Sequence, residues 1–461
     1  LLLQSPWTAR LAPDGGSPAE RLAAALANDI LDATLSTGDR LPAHRDLAYR
    51  LHIGLGTVTK AYALLERRGL VRTVKGSGTF VSAAVARRGP CIDLSKNAPP
   101  ALLTERLFVR SLSAVAKKSD AGILNSYPPT AGHDEYRRQF ARWLQGLGMD
   151  AAPTQLLLTS GAHNALWVAF SLLAGGGETV FTEQHTYPGA IALARLTGCR
   201  LAGLAMDHQG LIPSALDEAA AGAPGKRKVL YVTPTIQNPT TSTMGRTRRE
   251  QIVEICRKRD IIIIEDDVYR LGPNAGLPPL AMLAPERTFY INSMSKILNP
   301  ALRIGALVVP KAYYAAAEDV LAATALMISP FTCAVLEQWL LDGTAASASK
   351  AVQEEARRRY ALASSILGPA IWRSDYAGYH VWLPMPATDA IKLERQALAQ
   401  RVAVTPALST STSPDCTESG IRLCIGAPTA AELAIGLDVI ANLLRAQPGT
   451  GANSDLALRV G

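Results

Sequence analysis

The run Ile261-Ile262-Ile263-Ile264-Glu265-Asp266-Asp267-Val268-Tyr269 decides how most of this chain folds. Four consecutive isoleucines have no alternation between a wet and a dry side. They read as a strand covered on both faces, as in parallel sheets packed between helices. An amphipathic helical pattern from Arg248 to Arg259 precedes the run. Working outward, further strand-length apolar runs alternate with longer helical patterns. They are Leu156–Thr159, Thr179–Thr182, Val229–Thr233, Thr288–Asn292 and Ile304–Val309. This order predicts an α/β domain on a large, mostly parallel sheet. No fixed-period repeat interrupts it, and the Gly/Ala/Ser-rich tail at 447–461 is expected to be flexible.

Several of these strands end in residues with chemistry. Ile291-Asn292-Ser293-Met294-Ser295-Lys296 places a lysine just after one of them. Such a lysine can form a Schiff base with an aldehyde, and pyridoxal 5′-phosphate is the usual aldehyde cofactor. Ser-x-Ser-Lys alone is a weak signal; its companions strengthen it. Asp266 closes another strand, where a carboxylate beside a pyridine nitrogen would keep the ring protonated. Tyr269, three residues on, can approach the same ring. Asn238, before Pro239, could donate to the ring oxygen, and Tyr187 could stack on the ring. Ser160-Gly161-Ala162 lies between a strand and a helix, where backbone N–H groups favour a phosphate, and Arg303 could pair with that phosphate.

The first ninety residues read differently. Ser17-Pro18-Ala19-Glu20 is a helix start with a capping box, and Leu22, Leu26, Ile30 and Leu31 give a stripe running to about Leu35. A short helix over about Ala43–Leu51, a turn with two glycines, and a third helix over about Thr57–Arg68 follow. Two short strands, Leu70–Val74 and Thr79–Val81, flank Lys75-Gly76-Ser77-Gly78. Three helices and a two-stranded wing make a winged helix-turn-helix. Between Arg40 and Arg88 ten Lys/Arg face only Asp46 and Glu66, so this stretch alone equals the chain's net charge of +8. Such concentration points to a polyanionic partner, nucleic acid, and the winged helix-turn-helix makes double-stranded DNA the expected one. The fragments Gly38-Asp39-Arg40-Leu41-Pro42, Arg45-Asp46-Leu47-Ala48, Thr57-Val58 and Gly76-Ser77-Gly78-Thr79-Phe80-Val81 resemble the GntR-type DNA-binding domain. The resemblance implies DNA contacts from Arg45, Thr57 and the wing at Gly76, Ser77 and Gly78, and Arg40 and Lys75 belong to the same basic surface. Gly54-Leu55-Gly56 stands where the family often has an arginine or a polar residue, leaving Thr59 and Lys60 as the substitute candidates for base readout.

From about Asp93 to Leu444 the chain resembles fold-type I aminotransferases, with a small C-terminal α+β subdomain implied. That resemblance makes Lys296 the Schiff-base lysine and Asp266 the pyridinium partner. Asn238 and Tyr269 would hold the ring oxygen; Ser160, Gly161, Ala162, Ser293, Ser295 and Arg303 would hold the phosphate. Arg422 matches the arginine that grips a substrate carboxylate. Tyr127 and Gly132 match the loop that dimers of this fold lend across their interface. His163 replaces a frequent glutamine and reads as structural. Two departures stand out: Asn238-Pro239-Thr240-Thr241 for Asn-Pro-Thr-Gly, and Tyr136-Arg137 for Leu-Arg.

The domains expected are a DNA-binding domain at 1–82, a linker at 83–92, an effector domain at 93–446 and the tail. This combination resembles the MocR subfamily of GntR regulators. It implies a pyridoxal-phosphate-dependent, head-to-tail homodimeric regulator in which an amino compound, such as an amino acid or related zwitterion, takes over the imine at Lys296. The alternative is an active aminotransferase carrying a DNA-binding domain; a third reading has the large domain only dimerise. The chain shows no run of eighteen apolar residues, no signal-peptide pattern, no metal-ligand spacing, and six cysteines at 91, 199, 256, 333, 416 and 424 without a C-x-x-C pair. A cytoplasmic protein with reduced thiols, no bound metal and no membrane partner is expected.

Overall fold

The computed structural model describes residues 7–12, 16–31, 34–36, 38–67, 70–74, 77–81, 91–118, 122, 125–223, 227–272 and 276–446. Lys75 and Gly76, the linker over 83–90 and the tail from 447 lie outside the described residues. The chain divides into two compact units, Leu1–Cys91 and Ile92–Gly461.

The first unit has helices Pro18–Leu31, His44–Leu51 and Leu55–Arg67, then the antiparallel strands Val71–Val74 and Gly78–Val81. Leu22, Leu26, Ile30, Leu47, Val58, Ala61 and Leu65 form its core, as the helical periodicity requires. Ser17 and Glu20 cap the first helix reciprocally, with the Ser17 N–H 2.8 Å from the Glu20 carboxylate. Within the described residues that helix spans Pro18–Leu31, and buried Leu35, the last residue of the expected stripe, also joins the core. Arg40 bridges Phe80, adding a short third edge to the wing. An N-terminal arm, residues 7–12, packs on the first helix. Its Trp7 indole donates to Asp29 at 2.6 Å, and Arg10 pairs with the same carboxylate at 2.5 Å.

The second unit is built on a seven-stranded sheet. In spatial order its strands are Leu156–Thr159, Gly305–Val308, Thr288–Ser293, Ile261–Asp266, Lys228–Val232, Thr179–Glu183 and Arg200–Leu204. Gly305–Val308 runs antiparallel to both neighbours, and the other pairings are parallel. The edge strand Arg200–Leu204 carries no β-branched residue, which is why its composition does not announce it. Glu265, wholly buried, accepts the Leu280 and Ala281 N–H groups at 2.9 and 2.8 Å, so a charged-looking residue inside the sheet is satisfied by backbone.

A smaller α+β layer completes this unit. His380–Pro386 pairs antiparallel with Glu418–Cys424, and helices Thr344–Leu367, Ala387–Ala399 and Ala430–Arg445 pack beside them. Ile92, expected to end the linker, instead opens the strand Ile92–Leu94, which pairs in parallel with Val402–Val404. The chain therefore enters the second unit through a strand whose partner lies more than three hundred residues later. Among the described residues no single helix is long and apolar enough to cross a membrane.

Candidate functional site

Asp266 and Ser293 are the last residues of neighbouring parallel strands, and open α/β sheets bind ligands at those carboxyl ends. Lys296 follows in the one-turn helix Met294–Ile297. Ser293 sets that turn: its hydroxyl accepts the Ser295 N–H at 3.1 Å and donates to the Ile304 carbonyl at 3.0 Å. The Tyr379 hydroxyl holds the Lys296 carbonyl at 2.9 Å. The Lys296 amine donates to the Asn97 carbonyl and lies 5.8 Å from the centre of the Tyr269 ring. Burial first, then the Arg422 cation, lowers its pKa to about 8. A lysine in this state reaches its nucleophilic neutral form far more readily than a surface lysine.

Asp266 is buried. One carboxylate oxygen accepts the Tyr231 hydroxyl at 2.9 Å, and the other, Oδ1, has no hydrogen-bond partner. Burial raises its pKa to about 6, against the hydrogen bond from Tyr231. An unpartnered buried carboxylate oxygen is costly unless a cationic or N–H group meets it. The Tyr269 hydroxyl accepts from the Asn97 side chain at 2.8 Å.

Gly161, at φ +87, caps the helix Ala162–Leu173, whose first-turn N–H groups have no partner within the helix. Arg303 reaches this turn from a left-handed residue (φ 50), donating to the Ser160 carbonyl at 3.1 Å and the Ser295 hydroxyl at 3.3 Å. A Cβ at Gly161 would sit 2.7 Å from the Arg303 guanidinium, and one at Gly305 would sit 2.8 Å from the Gly161 backbone. Both glycines thus keep an anion cradle open between Ser160, Gly161, Ala162, Ser295 and Arg303. The half-buried Tyr187 ring lies across Gly189 and meets His163 edge-on at 6.3 Å.

Arg422 is buried on Glu418–Cys424. It donates to Asn238 Oδ1 at 2.5 Å, Thr405 Oγ1 at 3.2 Å and the Ser95 carbonyl at 3.4 Å. Asn238 precedes a cis-proline. Thr241, standing where glycine is expected, keeps a left-handed φ of 67. His380 and His185 line the same region; burial drops their pKa values to about 3 and about 4, so both are neutral.

The structure thus brings Lys296, Asp266, Tyr269, Tyr187, Asn238, Arg303, Ser160, Gly161, Ala162, Ser293, Ser295 and Arg422 into one region. Gly132, at φ +88, packs its backbone on Leu158, where a Cβ would come within 2.7 Å. Tyr127 is 81% exposed, apart from the buried groups. Tyr231, Asn97, Ser95, Thr405 and Tyr379 were not expected. Tyr231 reads as an ordinary core aromatic, and the others belong to no motif. On the first unit, Arg45, Thr59, Lys60 and Ser77 are exposed, and Thr57 is half-buried. Arg40 lies against Gly78, where a Cβ would be 2.8 Å from its guanidinium.

Residues 89–440, well over half the chain, match the model of aminotransferase class I and II. The chain belongs to the aminotransferase class I and II family. Residues 18–81 match the gntR family of bacterial regulatory proteins. Among relatives of this aminotransferase-family chain, the uncharacterized HTH-type transcriptional regulator YdeF of Bacillus subtilis (strain 168) is 27% identical, covering 92% of this chain and 93% of YdeF. The HTH-type transcriptional regulator TauR of Rhodobacter capsulatus is 31% identical over 69% of this chain and 73% of its own. An archaeal alanine:glyoxylate aminotransferase structure superposes with a TM-score of 0.71 at 23% identity, covering 85% of this chain and 95% of that one, a likeness of fold. The two families in this order are those of the MocR subfamily of GntR-type regulators, and the protein is a pyridoxal-phosphate-dependent, DNA-binding transcriptional regulator. The residues present fit that cofactor: Asp266 Oδ1 lacks a partner where a pyridinium N–H would supply one, and the Gly161 cradle is open to a phosphate.

Proposed function

We propose that this regulator senses an amino compound at Lys296 and passes its occupancy to the DNA-binding unit. One observation carries the reading. The first residues of the second unit, directly after the first unit, are bonded to the site itself: the Ser95 carbonyl accepts from Arg422, and Asn97 contacts both Lys296 and Tyr269. Anything that moves the lysine or the arginine acts on the segment that leads to the winged unit. Thermodynamically the effector must favour one arrangement of that segment, otherwise it switches nothing.

When bound, the cofactor supplies an aldehyde on which amines exchange and an electron-accepting ring. Lys296 would hold the aldehyde carbon. Asp266 would meet the ring nitrogen, Asn238 and Tyr269 the ring oxygen, and Tyr187 the ring face. Ser160, Gly161, Ala162, Ser295 and Arg303 would hold the phosphate, with Ser293 fixing the turn. Arg422 would bind the effector's carboxylate bidentately, which favours an amino acid or related zwitterion over a simple amine. The exposed Tyr127, on the loop ending at Gly132, supports a head-to-tail homodimer in which a second copy receives it. Such a dimer would read two half-sites in the cytoplasm.

The test is a titration of the purified holoprotein with a panel of amino acids and amines. The cofactor's absorption and the affinity for duplex DNA are followed together. One class of compound should move both, and Lys296→Ala should abolish the spectral response. If no compound changes either signal, the sensor reading fails. Sustained turnover of an amino donor with a 2-oxo acid would establish the enzyme reading instead.

A further inference from the structure

The third helix of the winged unit opens on Leu55 and Gly56, neither of which offers a side-chain hydrogen bond, and its exposed surface has a pattern. Leu55, Thr59 and Ala63 stand four residues apart, so they form one row on the helix. All three are exposed, Leu55 by 47%. The Thr59 hydroxyl donates back to the Leu55 carbonyl at 3.0 Å, so its proton is spent within the helix and its methyl is the group that continues the apolar row. Gly54 and Gly56 flank Leu55. Neither has a positive φ, and an added Cβ would meet nothing within 4 Å at Gly56 and only the Thr57 hydroxyl, at 3.7 Å, at Gly54. Interior packing therefore does not demand them. Their effect is to lower the surface around Leu55, letting it approach a partner closely.

The partner's chemistry follows from the surroundings. Lys60, next to Thr59 in the chain, and Arg45, on the preceding helix, are both exposed, in the stretch that carries the chain's excess positive charge. An apolar row in such a cationic stretch suits a groove with phosphate walls, and the apolar feature that bases present in the major groove is the thymine 5-methyl group. We infer that the Leu55–Thr59–Ala63 row reads thymine through its methyl group. Lys60 and Arg45 contact the backbone, so sequence preference resides in the apolar row.

This inference rests on DNA binding by the winged unit. Full-length holoprotein is used to enrich duplexes from a random pool. In the enriched duplex each thymidine is then replaced, one at a time, by deoxyuridine, which removes only the methyl. At one or two positions per half-site, binding should weaken about fourfold, the loss expected for one buried methyl. Leu55→Ala should erase that sensitivity. Thr59→Ser, which keeps the hydroxyl, should weaken it, and Thr59→Val, which keeps the methyl, should preserve it; residual binding of each variant to the enriched duplex with an unchanged salt dependence certifies that its winged unit is folded. Enriched duplexes without a shared thymine overturn the inference, as does uracil bound as tightly as thymine, or Thr59→Val failing as badly as Thr59→Ser. In each of those cases DNA binding itself still stands. Failure to enrich any duplex overturns both.

Discussion

Lys296 illustrates how a functional side chain works against the fold. Buried, its pKa is about 8, against about 10.5 when exposed in the unfolded chain. Between those values the unfolded chain holds a proton that the folded chain lacks, so stability rises with pH across that window. Below pH 8 the burial penalty is fully present. In cofactor-free protein, Lys296→Met should therefore raise stability at pH 7 by about 2 kcal/mol. The gain should fade towards pH 10.5, read as the difference between urea unfolding curves of variant and parent. Thr241 carries a second residue-scale cost. A β-branched residue at φ 67 is strained, and Thr241→Gly should stabilise by about 1 kcal/mol in the same assay. Both positions were legible in the sequence, Lys296 from its place after a strand and Thr241 as a departure from a family motif. Asn97 was not. Its contact with Lys296 spans 199 residues, and nothing in Ser95-Lys96-Asn97-Ala98 marks it.

At the scale of elements, apolar periodicity located the winged unit's helices and six of the seven strands in the main sheet. It was silent on direction. Gly305–Val308 is as apolar as its neighbours, and only the chain's path makes it antiparallel. It also missed Arg200–Leu204, where Gly203 is pressed against Thr412, a Cβ there falling 2.0 Å from the Thr412 hydroxyl. Another close crossing lies between Gly305 and the Ser160–Ala162 turn. Gly305→Ala would push a methyl against three backbone atoms at 2.8–3.0 Å, none of which can rotate away. The expected cost is about 3 kcal/mol. Because the displaced turn is the proposed phosphate cradle, cofactor affinity should drop at least tenfold in a titration of the same variant, whereas a purely global destabilisation would leave the affinity of the folded fraction unchanged.

At the scale of the molecule, two units with separate cores predict a separable outcome. Removing residues 1–82 should abolish DNA binding in a mobility-shift assay and leave the cofactor's absorption intact; a truncated protein that still bound its operator would refute this division of labour. The reverse cut has a less obvious result. The strand Ile92–Leu94, through which the first unit joins the second, is paired with Val402–Val404. During synthesis the winged unit emerges complete while that pairing still waits on some three hundred residues, roughly 15–60 s at ordinary elongation rates. For that interval, and permanently in any product of a premature stop before position 402, a finished DNA-binding head exists with its control apparatus unbuilt. Where the second unit controls the first as proposed, such fragments should occupy half-sites whether or not the amino compound is present, and co-expressing one with the intact chain should blunt the transcriptional response in a reporter strain.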